Sequence, residues 1–233
     1  MLRRIIIWIA LMTGAQLDAM DGVVLLHGLC RTSASMERMA AALTKAGFVV
    51  ANIDYPSRRA SVGNLSEEVI GAALQDDKLA QCAKIHFVTH SLGGILVRDY
   101  FSRHRAPRLG RVVMLGPPNQ GSEVVDCLKE WRLFQWLNGP AGAELGTTPE
   151  AVPKQLGPVT FELGVIAGDR SINWLNSLLI AGCDDGKVSV RNSKVEGMKD
   201  HLVVHTAHPF LMRNREVIGA TIRFLKTGMF RAE

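Results

Sequence analysis

The stretch that decides the fold is VTHSLGG at residues 88–94. An apolar run, AKIHFV, leads into it, and a run with helical character, ILVRDYF, follows the two glycines. An apolar run that meets a pair of glycines and then a helical pattern indicates a strand that turns sharply into a helix. Ser91 is therefore predicted at the end of a strand, where its side chain stands clear of the sheet.

Strand-like and helix-like segments alternate along the rest of the chain. An Asn at position 64 with Glu67 three residues later predicts that one helix begins at Asn64 and runs to about Ala80. Strands that are apolar throughout and alternate with helices predict an α/β fold with a mostly parallel central sheet and helices on both faces. The predicted strands are 22–26, 48–53, 84–88, 111–115, 161–167 and 202–205. The other predicted helices are 35–46, 210–225 and one that follows the motif at 88–94 and runs to about 103.

Parallel sheets place ligands beyond the carboxyl ends of their strands, so the residues that follow each strand are the candidates for function. A serine hydroxyl is a weak nucleophile that needs a base within hydrogen-bond reach. On a sharp turn, Gly93 would relieve crowding around Ser91 and Gly94 would let the helix pack close to the sheet. The backbone N–H of Leu92 would then face the oxyanion formed in acyl transfer, and Leu29, after the first strand, is the expected second donor.

Two motifs together carry a resemblance to a known family. VVLLHGL at residues 23–29 followed about 60 residues later by VTHSLGG resembles the alpha/beta-hydrolase superfamily, and within it the compact bacterial lipases and esterases. The resemblance covers nearly all of the chain after Asp21. One position departs from the family pattern G-x-S-x-G, because Thr89 stands where the first glycine is usual.

The resemblance implies the chain order serine, acid, histidine, and it therefore directs the search for the acid. Asp185 precedes Gly186 in a turn similar to the acid turn of the bacterial lipases, and it is the predicted acid. Asp184 is expected to be a surface turn residue, because Asp-Asp-Gly is typical of turns. Asp169, directly after the fifth predicted strand, remains the alternative.

The base candidates are His201, His205 and His208. His208 precedes Pro209 and the last predicted helix, an arrangement similar to the family's histidine loop, and it is the predicted base. His205 has strand-like neighbours and is expected to be a packed or surface histidine. His27 and His90 are interpreted as residues that support the site.

The resemblance implies a serine hydrolase that needs no cofactor. His208 would take the proton of Ser91 as the hydroxyl attacks a carbonyl, Leu29 and Leu92 would hold the oxyanion, and Asp185 would orient the imidazole. The favoured function is cleavage of carboxylic esters of lipid-like or short acyl groups. The alternatives are a thioesterase or acyltransferase on the same residues, and a non-catalytic, membrane-tethered binding protein on a hydrolase scaffold.

Residues 119–159 form the least regular part of the chain. A helix is predicted over 123–137, with Val124, Leu128 and Trp131 near one face. Beside a lipase-like site such a helix is either a mobile lid or acyl-chain groove, or a fixed cap on the sheet. This segment is therefore predicted to be a cap-like or lid-like insert within a hydrolase domain of residues 21–233.

The chain has 233 residues and a formal net charge of +5. It lacks a basic stripe with interleaved aromatic residues, so nucleic acid is not an expected partner. Arg3 and Arg4 precede an apolar run, 5–12, that ends in small residues, which is typical of a secretory signal. Residues 1–20 are therefore predicted to be a signal peptide or an N-terminal membrane anchor, with export and association with a membrane surface as the expected consequences.

The four cysteines are too widely spaced for a zinc motif, and no metal is expected. In an exported chain, one or two disulfides would be expected, although the spacing does not choose a pairing. The cysteines are Cys30, Cys82, Cys127 and Cys183.

Overall fold

The computed structural model describes residues 20–172, 179–180 and 182–231. The predicted export segment, residues 1–20, thus lies outside the described residues except for Met20.

Within the described residues, the central sheet has six strands in the order β2-β1-β3-β4-β5-β6, and all neighbouring strands run parallel. The prediction of a parallel sheet with helices on both faces is confirmed. The strands are β1 Gly22–Leu26, β2 Val49–Ile53, β3 Ile85–His90, β4 Leu109–Leu115, β5 Leu163–Gly168 and β6 Asp200–Val204.

Helices connect the strands, and three short 3₁₀ helices accompany them. The α-helices are α1 Glu37–Lys45, α2 Val62–Leu74, α3 Leu92–Arg103, α4 Glu123–Leu128, α5 Arg132–Ala143, α6 Val152–Gln155 and α7 Arg215–Thr227. The 3₁₀ helices are Ser33–Met36, Asp77–Leu79 and His208–Arg213. The first and last predicted helices therefore each divide into a 3₁₀ helix and an α-helix.

Alternate residues of the strands β1 to β5 contribute to two separate hydrophobic clusters, one on each face of the sheet, and β6 contributes to one of them. Val24 and Phe87 pack with α2 and α3 on one face, whereas Val23 and Val88 pack with α1 and α7 on the other. Because both faces are covered there, β1, β3 and β5 are buried along their whole length.

The start of α2 differs from the prediction. Ser61, not Asn64, is the N-cap, and its hydroxyl accepts a hydrogen bond from the Asn64 N–H at 3.4 Å. A carboxylate oxygen of Glu144 also accepts the Val62 N–H at 2.7 Å, which places a negative charge at the positive end of the helix. Asp76 caps a separate 3₁₀ helix, so the predicted extension of α2 to Ala80 is also wrong.

The segment between β4 and β5 holds α4, α5 and α6, and the single helix predicted over 123–137 is broken. Trp131 adopts an extended backbone (ψ 124°) between α4 and α5. Within α5, Gly139 leaves the helical conformation with φ 67°, and a Cβ at this position would lie 2.0 Å from the Arg58 carbonyl oxygen. The close approach of the 56–59 loop therefore requires glycine at this kink.

Both ends of this segment are held by Arg98, which projects from α3 and is buried. Its guanidinium donates hydrogen bonds to the carbonyl oxygens of Asn119 at 2.8 Å and Gly157 at 2.7 Å, and to that of Pro153 at 3.3 Å. Burial lowers the Arg98 pKa to about 10. We name residues 119–159 the cap segment.

Candidate active site

Ser91 occupies a sharp turn between β3 and α3, as predicted. Its backbone has φ 51° and ψ −118°, and only Ser91 and Cys30 among the described non-glycine residues have a positive φ. A non-glycine residue in this region stores on the order of 1–3 kcal/mol of strain, which the surrounding structure must hold in place. The Ser91 N–H donates to the Leu115 carbonyl at 2.9 Å, and this bond ties the turn to the end of β4.

The glycines around Ser91 have the packing roles that the sequence indicates. A Cβ on Gly93 would lie 2.9 Å from the Leu26 carbonyl oxygen, and a Cβ on Gly94 would lie 3.1 Å from the Met114 sulfur. Both glycines allow α3 to approach the sheet closely. Thr89, at the position that departs from the family pattern, is fully buried, and its hydroxyl has no hydrogen-bond partner among the described residues.

His208 and Asp185 form a buried pair. The His208 Nδ1 lies 2.7 Å from the Asp185 Oδ2, and the two side chains are 8% and 2% exposed. The other carboxylate oxygen accepts the N–H groups of Lys187 at 3.1 Å and Val188 at 2.9 Å. Because the carboxylate accepts the proton on Nδ1, the Nε2 of His208 is left to act as an acceptor.

Ser91, Asp185 and His208 line one cavity of about 490 Å³. The cavity lies at the carboxyl ends of the strands, beside the point where the strand order reverses between β1 and β3. Leu29, the predicted second amide donor, lines the same cavity, and Leu92 is the first residue of α3. The backbone N–H groups of Leu29 and Leu92 have no hydrogen-bond acceptor within the described part of the chain.

His27 fixes the loop that carries Leu29. Its ring stacks on Tyr55 with centroids 4.1 Å apart, and its Nε2 accepts the Tyr55 N–H at 3.2 Å. Its Nδ1–H therefore donates to the Gly28 carbonyl at 2.9 Å. Burial lowers the His27 pKa, which keeps the ring neutral and these bonds intact. Tyr55 follows β2, at the same sheet edge, but the sequence analysis did not single it out.

His90 lies between the Gly28 loop and His208. Its Nε2–H donates to the His208 carbonyl at 3.1 Å, and the two rings are 4.7 Å apart. Burial, and secondarily the positive charge that His208 can carry, place the His90 pKa well below its usual value. A Cβ on Gly28 would lie 2.5 Å from the His90 Nδ1, so the loop packs directly on this ring.

The remaining candidates lie outside this cluster. Asp169, the alternative acid, pairs with His205 at 2.9 Å, and His205 is a surface residue. His201 bonds the Ser193 hydroxyl at 3.1 Å. Asp184 lies in the predicted turn but is buried, and its carboxylate accepts the Gly186 N–H at 2.6 Å. The prediction that Asp184 lies at the surface is therefore wrong, because the turn that carries Asp185 to the cavity buries Asp184 as well.

The walls of the cavity differ in chemistry. The cap segment supplies an apolar wall, whereas Arg31 and Lys187 are the lining cations and Asp185 is the lining carboxylate. The apolar wall comprises Val124, Val125, Phe134 and Leu145, and Pro118 lines the cavity just before the cap segment. Large apolar side chains are exposed on α5 and at its N-cap: Trp136 is 75% and Trp131 63% exposed.

All four cysteines are free thiols, so the expected disulfides are not formed. Cys82 lies before the start of β3, and Cys30 lies after the end of the neighbouring parallel strand β1. The two residues are therefore separated by the length of a strand, roughly 17 Å. A disulfide needs Cα atoms within about 7 Å, which excludes that pair. Within the described ranges, no group of three or more His, Cys, Asp or Glu side chains has the geometry of a metal site.

The helices of the described residues are all too short or too polar to cross a membrane.

Comparison with known proteins places the fold. The structure superposes on Bacillus licheniformis lipase BlEst2 in its mature form with a TM-score of 0.71 and 20% identity, covering 91% of this chain and 93% of that one. It also matches Legionella pneumophila phospholipase PlaB in complex with thio-NAD (TM-score 0.66, 16% identity, 88% of this chain and 61% of that one). A third match, from a study of the metagenome-derived lipolytic enzymes LipS and LipT, has a TM-score of 0.61 and 15% identity, with coverages of 90% and 94%.

These likenesses confirm the alpha/beta-hydrolase fold. No curated protein matches the chain by sequence. A family model does match, over residues 22–152, and its description is palmitoyl protein thioesterase. This range spans β1, the Ser91 turn and most of the cap segment, and on this match the chain belongs to the palmitoyl protein thioesterase family of alpha/beta-hydrolases.

Proposed function

We propose that this chain is a serine hydrolase that cleaves acyl esters through Ser91, His208 and Asp185. The observation that carries the proposal is the shared cavity, in which a strained, half-exposed serine meets a buried His–Asp pair. His208 Nε2 takes the Ser91 proton as the hydroxyl attacks the acyl carbonyl. Asp185 holds the imidazole and stabilises its charged form.

The oxyanion is held by two backbone N–H groups, those of Leu29 and Leu92. The N–H of Leu92 also stands at the N-terminus of α3, where the helix dipole stabilises negative charge. When the tetrahedral intermediate collapses, the leaving group takes the proton from His208 and the acyl group stays on Ser91. Water, activated by the same histidine, then releases the acid.

The acyl chain lies against the apolar wall that the cap segment supplies. Val124, Phe134 and Leu145 offer that chain a contact surface without polar groups. Removal of acyl-chain methylenes from water favours binding by about 0.8 kcal/mol each. The substrate is therefore a lipid-like acyl compound.

A thioesterase is the second candidate, and the family match favours it. Thioesters and oxygen esters form the same acyl-enzyme, so the residues are the same in both cases. The two functions differ in the atom that leaves the acyl carbon, which is oxygen in an ester and sulfur in a thioester.

The test is hydrolysis of p-nitrophenyl esters and of matched S-acyl N-acetylcysteamine thioesters, from acetyl to palmitoyl. We expect Ser91→Ala to lose roughly 10³-fold or more in turnover on every substrate, while Ser102→Ala at the other end of α3 keeps wild-type rates. The chain-length profile identifies the acyl group, and the ratio of ester to thioester rates decides between the two candidates. A wild-type protein that neither turns over these compounds nor reacts with a serine-directed phosphonate is a non-catalytic binding protein.

The proposal includes association with a lipid surface. Leu133 and Trp136 on α5, together with Trp131 at its N-cap, are exposed apolar side chains next to the cavity wall. Tryptophan is favoured at a membrane–water interface, where one end of its ring is in an apolar environment and the other is hydrated. Sedimentation with phospholipid vesicles tests this association, and Trp131→Ser/Trp136→Ser should weaken it.

Export through residues 1–20 also belongs to the proposal, and its support is the signal-like order of charged, apolar and small residues. Fractionation of cells that express the full chain tests it, since retention in the cytoplasm would contradict it.

A further inference from the structure

Two cations line the cavity, on two different loops. Arg31 follows the Leu29 loop, and Lys187 follows the Asp185 turn, and both line the cavity. Arg58 and Arg213 add to this charge: burial raises the pKa of the Cys30 thiol against the opposing effect of Arg58, and burial lowers the pKa of Arg31 together with the charge of Arg213. We name Arg31, Lys187, Arg58 and Arg213 the cationic group.

In the described part of the chain, the cationic group lacks a carboxylate partner. Among the described residues, none of its four members forms an ion pair. Asp185 is the carboxylate that lines the cavity, and it is already bonded to His208 and to two backbone N–H groups. The electrostatic potential that these cations produce in the cavity is therefore positive.

Arg31 is the member that bears most on ligand binding. It is half-buried, and its guanidinium has no hydrogen-bond acceptor in the part of the chain that the structure describes. Burial and the neighbouring Arg213 lower the Arg31 pKa. A partly desolvated guanidinium without an acceptor is unfavourable in the free protein, and an anion in the cavity would supply the missing acceptors.

The two substituents of an ester leave the carbonyl carbon in different directions. The apolar wall suits the acyl chain, and Arg31 and Lys187 line the same cavity, where they are the cations available to a charged leaving group. Arginine binds phosphate through two parallel N–H bonds, and lysine adds a compact charge. A phosphate on the leaving group would fit both cations.

We propose that the site selects acyl esters or thioesters whose leaving alcohol or thiol carries a phosphate group, with Arg31 and Lys187 as the residues that bind it. This inference rests on the serine hydrolase function proposed above. The same chemistry occurs in a lipid headgroup, such as glycerol phosphate, and in a phosphorylated carrier thiol, such as coenzyme A.

The experiment uses two matched pairs of soluble octanoyl substrates and the full chain. The ester pair is octanoylglycerol 3-phosphate and octanoylglycerol, and the thioester pair is octanoyl-coenzyme A and S-octanoyl N-acetylcysteamine. For each pair, the ratio of kcat/KM with and without phosphate is measured at low and high NaCl. If the kcat/KM ratio exceeds one in the ester pair, the phosphate that the site recognises is that of a lipid headgroup. If the ratio exceeds one in the thioester pair, the phosphate is that of a carrier thiol.

We expect the wild-type protein to prefer the phosphate-bearing member of at least one pair, and the preference to fall at high salt. Arg31→Gln/Lys187→Gln should reduce that ratio roughly 10- to 100-fold, and Arg31→Lys should retain part of it. Arg105→Gln, which removes an exposed cation beyond the far end of α3, should keep the wild-type ratio.

Equal rates within both pairs for the wild-type protein would overturn the inference and leave the proposed hydrolase function intact. A ratio that is unchanged in Arg31→Gln/Lys187→Gln would also overturn it. If none of the four substrates is cleaved and Ser91 does not react with a phosphonate, the hydrolase function fails and this inference fails with it.

Discussion

The structure contains two histidine–aspartate pairs whose histidines lie three residues apart in the chain. The two pairs have similar N–O distances but differ in burial and in their surroundings. His208 and Asp185 are joined at 2.7 Å, and His205 and Asp169 at 2.9 Å. The first pair is 8% and 2% exposed, whereas the second is 75% and 34% exposed. The hydrogen-bond distance alone therefore does not distinguish a site from a surface contact.

The surroundings of the two pairs explain the difference. Asp185 has two backbone N–H donors on its second oxygen, and His208 lies in the cavity with Ser91. His205 points to solvent, where an ion pair contributes at most about 1 kcal/mol. Burial makes the first pair rigid, and rigidity is what a base needs in order to meet a nucleophile in one geometry.

The largest difference in activity should be that between the variants of the two histidines. We expect His208→Gln to lower kcat on p-nitrophenyl butyrate by on the order of 10⁴-fold, because Ser91 loses its base. His205→Gln should stay within about twofold of the wild-type protein, because its ring does not line the cavity. Circular dichroism of both variants checks the fold, and a comparable loss in His205→Gln would reverse the assignment of the base.

The two aspartates should give a smaller contrast. Asp185→Asn should reduce kcat roughly 10³- to 10⁴-fold, because an amide no longer favours the charged imidazole. Asp169→Asn should leave kcat unchanged and alter the free energy of unfolding by less than about 0.5 kcal/mol. Kinetics and urea unfolding of the two variants measure both effects, and an active Asp185→Asn protein would make Asp169 the acid.

A pair of glycines gives the most selective test. Gly116 and Gly157 have φ values of 56° and 64°, so alanine introduces similar backbone strain at each, about 1 kcal/mol. A Cβ on Gly116 would lie 3.0 Å from both the Asp185 Oδ2 and the His208 Nδ1, whereas a Cβ on Gly157 would meet nothing within 4 Å.

We therefore expect Gly116→Ala to lower kcat roughly 10- to 100-fold, by displacing the buried pair, and Gly157→Ala to leave kcat near the wild-type value. Activity measured well below both melting temperatures separates the geometric effect from the loss of stability. Equal activities in the two variants would mean that the pair tolerates displacement.

The parts of the fold that local patterns determine could be predicted from the sequence. The turn at Ser91 is one of them, because Gly93 and Gly94 are needed wherever a strand and a helix meet this closely. The buried strands are another, because both sheet faces are covered by helices.

Features that depend on distant residues could not be predicted. The start of α2 is set by Ser61 together with Glu144, which lies in the cap segment 82 residues away from Val62. The kink at Gly139 depends on the close approach of the loop at Arg58. Nothing in the sequence around Arg98 distinguishes it from an exposed arginine on a helix. The carbonyl oxygens that surround its guanidinium come from residues 21 to 59 positions away in the chain.

The position of Arg98 has a consequence for how such a protein can diverge. One guanidinium on a scaffold helix holds Asn119, Pro153 and Gly157, the residues where the cap segment begins and ends. Ser91 lies seven residues earlier in the chain, about 10 Å along the helix axis. Apart from contacts such as that of Glu144 with the start of α2, the stretch between these anchor points can therefore change in length and composition, and so admit other substrates, while the frame around the proposed catalytic serine stays the same.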